Sequence, residues 1–242
     1  MDRFPTTRGS ILLAVGSSDA VERHRAWDVL VSAYWKPVYK YLRVKWRERP
    51  EDAEDSTQAF FARSMEKGIF ERYDPSKARF RTYLRLCLDG FVANRRKAAR
   101  RLKRGGGADP LPLDFAGAEG ELRHHDIPDP EHADMDAWFH REWVRALFGR
   151  AVEELRRSSR ERGREIHLEL FERYDLEGSD AAERPSYGEL AAELGLTTIQ
   201  VTNYLASIRR DFRRLVLEAL REATGSEAEL RAEARELLGV EL

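Results

Sequence analysis

The chain has 242 residues, a formal net charge of -1 and a charged fraction of 35 %, which bounds it to a soluble protein of one large domain or two small ones. Its single cysteine, Cys87, excludes a disulfide framework, and no apolar run approaches the roughly 18 residues needed to cross a bilayer. The opening MDRFPTTRGSILLAV has too short an apolar core for a signal peptide, so a cytoplasmic protein without membrane insertion is expected.

Residues 6–15 allow a short helix that carries no chemistry. From Val21 to Trp46 the residues Trp27, Leu30, Val31, Tyr34, Trp35, Val38 and Leu42 keep helical spacing, and Pro37 is expected to kink this helix or to start a second one. Residues 47–69 begin with Pro50 and acidic residues and end near Gly68, which marks another helix. Phe60, Phe61 and Met65 are expected to face inward, leaving Asp52, Asp55, Thr57 and Gln58 as a polar set near the first turns. On physical grounds alone that set reads as N-terminal capping and solvation.

Asp74-Pro75 interrupts the periodicity and predicts a short ordered loop over 70–80. In the next stretch, residues 78–104, Phe80, Tyr83, Leu84, Cys87, Leu88, Phe91 and Val92 form one apolar stripe. The other faces are basic: residues 72–104 hold twelve Lys or Arg against Asp74 and Asp89 alone. A helix that buries one side and offers cations on the other points to a polyanion, with nucleic acid the first candidate.

Residues 108–136 reverse the charge, with nine Asp or Glu against Arg123, and are rich in Gly and Pro, so a flexible acidic linker is expected over 105–136. His124, His125, Asp126, His132 and Asp134 are metal-capable types, yet no rigid i, i+4 pair fixes them, so neither a metal site nor a cofactor is expected. A metal-dependent enzyme using this cluster is the remote alternative. The glycines at 105–107 lack the Lys-Ser/Thr of a phosphate-binding loop.

Helical period returns at 137–160 with Trp138, Phe139, Trp143, Leu147, Phe148, Val152 and Leu155, and EIHLELFERYDL adds Ile166, Leu168, Leu170, Phe171 and Tyr174. Ser186 and Glu189 have capping-box spacing, Gly195 supplies a left-handed stop and Thr197 a second cap. With Ala191 at the crossing and Val201 and Leu205 on the inner face, residues 186–214 read as a DNA-binding helix-turn-helix rather than an ordinary helical hairpin. Its second helix offers Thr198, Gln200, Thr202, Asn203, Tyr204 and Ser207 to base edges: Gln and Asn pair with adenine, and Thr meets a thymine methyl. Arg209, Arg210, Arg213 and Arg214 follow at positions suited to phosphates. The expected fold is therefore all-α: two small helical domains, 1–104 and 137–242, joined by the acidic linker, the second containing the helix-turn-helix.

The ordered set AYWKPVYKYLR (33–43), EDAEDSTQAFFAR (51–63), DPSKARFRTYL (74–84) and SYGELAAELGLTTIQVTNYL (186–205) resembles the bacterial RNA polymerase sigma factors of the extracytoplasmic-function class. The resemblance implies a non-enzymatic protein that binds core polymerase, recognises a promoter, opens the DNA and starts transcription. It implies that Asp52, Asp55, Thr57 and Gln58 dock on the beta-prime coiled coil, with the beta flap a further contact and an anti-sigma factor a candidate partner. The loop at 74–79, with Lys77 and Arg79, resembles the one that captures a flipped base of the -10 element. Tyr83 stands where family members often have Trp, and Arg81, Arg85, Asn94, Arg95, Arg96, Lys97, Arg100 and Arg101 resemble the face that meets -10 DNA. By the same resemblance the acidic linker runs in the RNA exit path of the polymerase. Ala59 departs from a common Glu, and Thr202 and Tyr204 replace common basic residues. The tail at 224–242 extends beyond a minimal member. A helix-turn-helix regulator that is not a polymerase subunit is the alternative reading.

Overall fold

The structure is a computed structural model that describes residues 11–99, 111–123, 127–177 and 184–241. All regular structure among these residues is helical. The chain divides into two compact units, Met1–Ala146 with Leu220–Leu242, and Leu147–Ala219. These bounds differ from the expected ones, because both fall inside helices: one within α6 (Met135–Glu161), the other within α9 (Thr198–Ala223).

The first unit is built on α2 (Ala20–Lys45), which follows the short α1 (Ile11–Val15). Asp19 caps α2, its carboxylate accepting the Val21 N–H at 2.8 Å, which satisfies one of the free donors of the first turn. The helix continues through Pro37 without a second start. Against it pack α3 (Pro50–Glu66), a short 3-10 turn at Phe70–Arg72 and α4 (Phe80–Ala99). The core is aromatic: Trp27 stacks on Phe70 at 5.3 Å, Phe70 meets Phe80 edge-on at 5.5 Å, and Phe80 meets Tyr34 at 5.4 Å. Such pairs add about 0.5–1.5 kcal/mol each beyond the area they bury. Phe60 and Phe61 are buried as expected, whereas Met65 is exposed, because the buried stripe of α3 runs through Ala53, Thr57, Phe60, Phe61 and Ser64.

Within the segment expected to be a flexible linker, α5 (Phe115–Arg123) is a helix of this unit. Asp114 accepts the Gly117 N–H at 2.9 Å, and Phe115, Ala118 and Leu122 are buried. Phe115 lies 5.4 Å from Trp35 and 5.2 Å from Tyr39. The acid that reads as solvated in isolation has partners on α2: Glu119 accepts from Arg43 at 2.7 and 2.8 Å and from the Tyr39 hydroxyl at 2.9 Å. Glu121 accepts from Lys36 at 2.9 Å and Lys40 at 2.7 Å. Residues 105–110 and 124–126 of the expected linker lie outside the described residues.

The start of α6 adds Trp138, Phe139 and Trp143, and the unit closes with the end of α9 and with α10 (Glu227–Leu238). The Tyr34 hydroxyl donates to the Ala223 carbonyl at 2.5 Å.

The second unit comprises the remainder of α6, α7 (Glu165–Phe171), a π-helical turn at Glu172–Leu176, α8 (Tyr187–Leu194) and most of α9. Leu170, Leu190, Ala191, Val201 and Leu205 form its buried centre, with Tyr174, Tyr187, Leu194, Leu196 and Tyr204 packed on it. Ile166, expected in this core, is exposed.

Candidate nucleic-acid interfaces

In the second unit the local rules that shape α8 and α9 are satisfied. The Ser186 hydroxyl accepts the Glu189 N–H, and the Glu189 carboxylate accepts the Ser186 N–H at 2.7 Å. Gly195 has φ +66°, the left-handed conformation that ends α8. A second reciprocal cap opens α9: Thr197 Oγ1 accepts the Gln200 N–H at 3.2 Å, and Gln200 Oε1 accepts the Thr197 N–H at 2.8 Å. Gln200 Oε1 also accepts the Thr197 hydroxyl at 3.0 Å. Gln200 is therefore exposed but engaged, and its carbonyl is not open for the paired bonds that adenine requires.

Thr198, Thr202 and Asn203 are exposed, with the Thr202 hydroxyl bonded to the Thr198 carbonyl at 2.9 Å. Tyr204 is half-buried, its ring stacked on His167 at 4.0 Å. Ser207 accepts from Arg164 at 2.8 Å. Arg209 is held by Asp175 through two 2.8 Å bonds and lies over the Tyr174 ring at 5.3 Å. That pairing raises its pKa above the ordinary guanidinium value. Arg210 and Arg213 are exposed, and Arg214 pairs with Glu218 at 2.8 Å. Three expected contact residues, Tyr204, Ser207 and Arg209, thus serve the packing of their own unit. Ile199, not among the expected contact residues, is 72 % exposed in the first turn of α9. Its position was legible, since it falls off the Val201, Leu205, Ile208 stripe.

In the first unit, the polar set on α3 is split. Asp52 and Asp55 are exposed and Gln58 is half-buried. Asp52 pairs with Arg49 at 2.9 Å, and that bond holds its carboxyl below the usual range. Thr57 is fully buried, its hydroxyl donating to the Ala53 carbonyl at 2.7 Å. It belongs to the inward stripe and does not join Asp52, Asp55 and Gln58 at the surface.

The basic helix α4 is likewise divided. Phe80, Leu84, Leu88 and Val92 are buried, while Tyr83, Cys87 and Phe91 are half-buried. The Tyr83 hydroxyl donates to the Ile69 carbonyl at 2.7 Å, and burial pushes its pKa up to about 12. Cations near the start of the helix are neutralised within the unit. Arg79 pairs with Glu233 at 2.8 Å and Glu236 at 3.0 Å. Arg81 is buried against Glu233 and lies 5.2 Å over the Trp143 ring. Burial, then the charge of Arg79, lowers its pKa. Arg85 bridges Asp136 at 2.7 Å and Asp89 at 3.0 Å.

These three arginines do not form the open face expected of them, because acids distant in sequence pack against them. Exposed cations remain at the C-terminal end of α4: Arg95, bonded to Ser56 at 2.6 Å, Arg96, 4.7 Å over the Trp46 ring, and Lys97. Asn94 beside them is exposed, and Lys77 pairs with Asp74 at 3.1 Å. Arg100 and Arg101 lie outside the described residues.

No helix among the described residues is long and apolar enough to cross a membrane, and none of their His, Cys, Asp and Glu form a group of three placed to hold a metal ion. Of the candidate metal cluster, His124, His125 and Asp126 lie outside the described residues. His132 pairs with Asp129 at 2.8 Å, and Asp134 caps α6 through the Asp136 N–H at 2.9 Å. Comparison of the chain with family models, with curated proteins and with solved structures found no match.

Proposed function

We propose that the protein is a promoter-recognition subunit of RNA polymerase, a sigma factor of the extracytoplasmic-function type. The observation that carries this reading is the doubly capped pair α8 and α9, joined through left-handed Gly195, with Thr198, Ile199, Thr202 and Asn203 exposed at the start of α9. Asn203 is suited to an adenine edge, while Ile199 and the threonine methyls are suited to thymine methyls. Arg210, Arg213 and Arg214 further along the helix supply phosphate contacts. In the first unit, Asp52, Asp55 and Gln58 are the proposed polymerase surface, and Arg95, Arg96 and Lys97 the proposed cations for DNA near the -10 element.

Opening of the promoter in this reading requires no reaction. Unstacking costs a few kcal/mol per base, and stacking on aromatic rings at about 1–3 kcal/mol per base together with phosphate contacts offsets it. Run-off transcription with purified core polymerase and genomic fragments tests the proposal: initiation at discrete sites that requires this chain is the expected result, and none at any fragment refutes it. A second reading, a DNA-binding regulator that is not a polymerase subunit, is favoured by the neutralised Arg79 and Arg81. It predicts tight duplex binding by the protein alone, unaffected by Asp55→Ala and Gln58→Ala.

A further inference from the structure

The face on which α10 lies has the composition of a site for single-stranded nucleic acid. Tyr73, Phe80 and Tyr83 form an aromatic cluster, with Tyr73 5.2 Å from Phe80 and 5.5 Å from Tyr83. Beside it stand the guanidinium groups of Arg79 and Arg81 and the first-turn N–H of Phe80, which has no partner within its own helix. Aromatic rings for bases next to cations for phosphates are what a strand without a partner strand requires.

Both guanidinium groups and the Phe80 N–H are occupied by carboxylates of one helix, while the Tyr73 hydroxyl donates to the Ala78 carbonyl at 2.8 Å and reaches the same helix at longer range. Glu229 Oε1 accepts the Phe80 N–H at 2.9 Å, and the Tyr73 hydroxyl lies 3.3 Å from Glu229 Oε2. Glu233 Oε1 takes Arg79 and Arg81, and Glu236 takes Arg79. The three acids recur at i, i+4 and i+7, so they rise along one face in steps of about 6 and 4.5 Å. That is a linear row of negative charge, the kind of charge that successive phosphates present.

The docking of this helix is not that of an ordinary core element. Its buried apolar side chains are Leu230 and Ala234, while Glu229 and Glu233 occupy the rest of the buried face. Glu233 is fully buried, yet its Oε2 has no hydrogen-bond partner, which leaves a buried acceptor unsatisfied and weakens the docking of the helix. The turn into α10 depends on Gly225: a Cβ there would meet the Tyr73 ring at 2.3 Å and Leu12 at 2.9 Å. One methyl group therefore separates the seated turn from a clash.

We propose that α10 is a removable cover whose Glu229, Glu233 and Glu236 stand in for the phosphates of single-stranded DNA on the Tyr73, Arg79 and Arg81 strip. This rests on the promoter-opening reading. Covered, the strip cannot take a strand; uncovered, it can.

The test is fluorescence anisotropy of the full chain with a labelled single-stranded DNA oligonucleotide, with hydrogen exchange of α10 read in parallel. Glu233→Gln with Glu236→Gln is expected to release α10 and to bind about tenfold tighter than the unaltered chain, or about 1.4 kcal/mol. Gly225→Val, which leaves every charge in place, is expected to act in the same direction, and adding Arg79→Ala to either is expected to cancel the gain. Glu227→Gln with Glu241→Gln removes the same charge at exposed positions and is expected to change affinity less than twofold. Unchanged affinity with α10 still protected makes the helix a permanent part of the unit and overturns the proposal. Unchanged affinity with α10 released overturns it as well. A gain in affinity from a chain that directs no transcription sinks the sigma reading and leaves the cover standing.

Discussion

Replacing Phe115 by Ala probes the helix that stands in the acidic segment. Phe115 is buried between Trp35 and Tyr39. A phenylalanine buries about 150–250 Å², worth about 4–6 kcal/mol at 25 cal/mol per Å². Compactness of the unfolded chain lowers that by about 10–40 %, which gives about 2.4–5.4 kcal/mol, a span that brackets the usual range for Phe→Ala in a core. The loss cannot exceed the free energy with which α5 docks, since the mutant is free to leave it undocked. All five tryptophans, at 27, 35, 46, 138 and 143, belong to the first unit, so their fluorescence follows that unit alone. In urea, with a slope of about 2 kcal/mol/M, the midpoint should fall by about 1–3 M, and Phe115→Leu should recover most of it. Hydrogen exchange should show the amides of residues 118–123 losing protection first. A midpoint within about 0.25 M of the unaltered protein, with those amides unchanged, refutes the packing argument and restores the flexible linker.

Further outcomes follow from named residues. The bond from Arg43 holds the Glu119 carboxyl below its ordinary value, so this contact contributes stability above about pH 4.3, the ordinary Glu value, and loses it as pH falls through the depressed one. Acid titration of tryptophan fluorescence should show that step, and Glu119→Gln should remove it. Thr57→Val should keep stability within about 1 kcal/mol, whereas Thr57→Asp should cost 3 kcal/mol or more by burying an unpaired charge. Asp55→Lys should leave thermal unfolding unchanged while reducing co-purification with core polymerase. In α9, Gln200→Ala should cost about 1 kcal/mol through loss of the cap. Arg210→Ala and Arg213→Ala should each lower the salt slope of duplex binding by about 1, and Arg209→Ala should leave it unchanged.

The helices themselves were legible because their signals are local. Pro50, Gly68, Ser186, Glu189 and Gly195 each act within a turn or two of their own position, and the stripes of α2, α4 and α9 repeat at helical period. The destination of a charge was not legible, because it is decided by residues far away in sequence. Arg81 meets Glu233 across 152 positions and Lys36 meets Glu121 across 85, distances at which composition carries no information. Thus an acidic run read as solvated proves paired, and three arginines read as open prove neutralised. Thr57 shows a smaller version of the same limit. Its one hydroxyl makes it look polar in sequence, but a bond to the backbone one turn back lets it pack as an apolar residue.

The hydrogen bond from Phe80 to Glu229 joins residues 149 apart. At about 5–20 residues per second of synthesis, Glu229 leaves the peptidyl-transfer centre roughly 7–30 s after Phe80. For that interval the nascent chain has its aromatic and arginine strip without the acids that neutralise it. Nascent chains are therefore a different electrostatic species from finished ones. Codon usage and chaperone capture between residues 80 and 229 have a direct physical route to the yield of protein with these pairs formed.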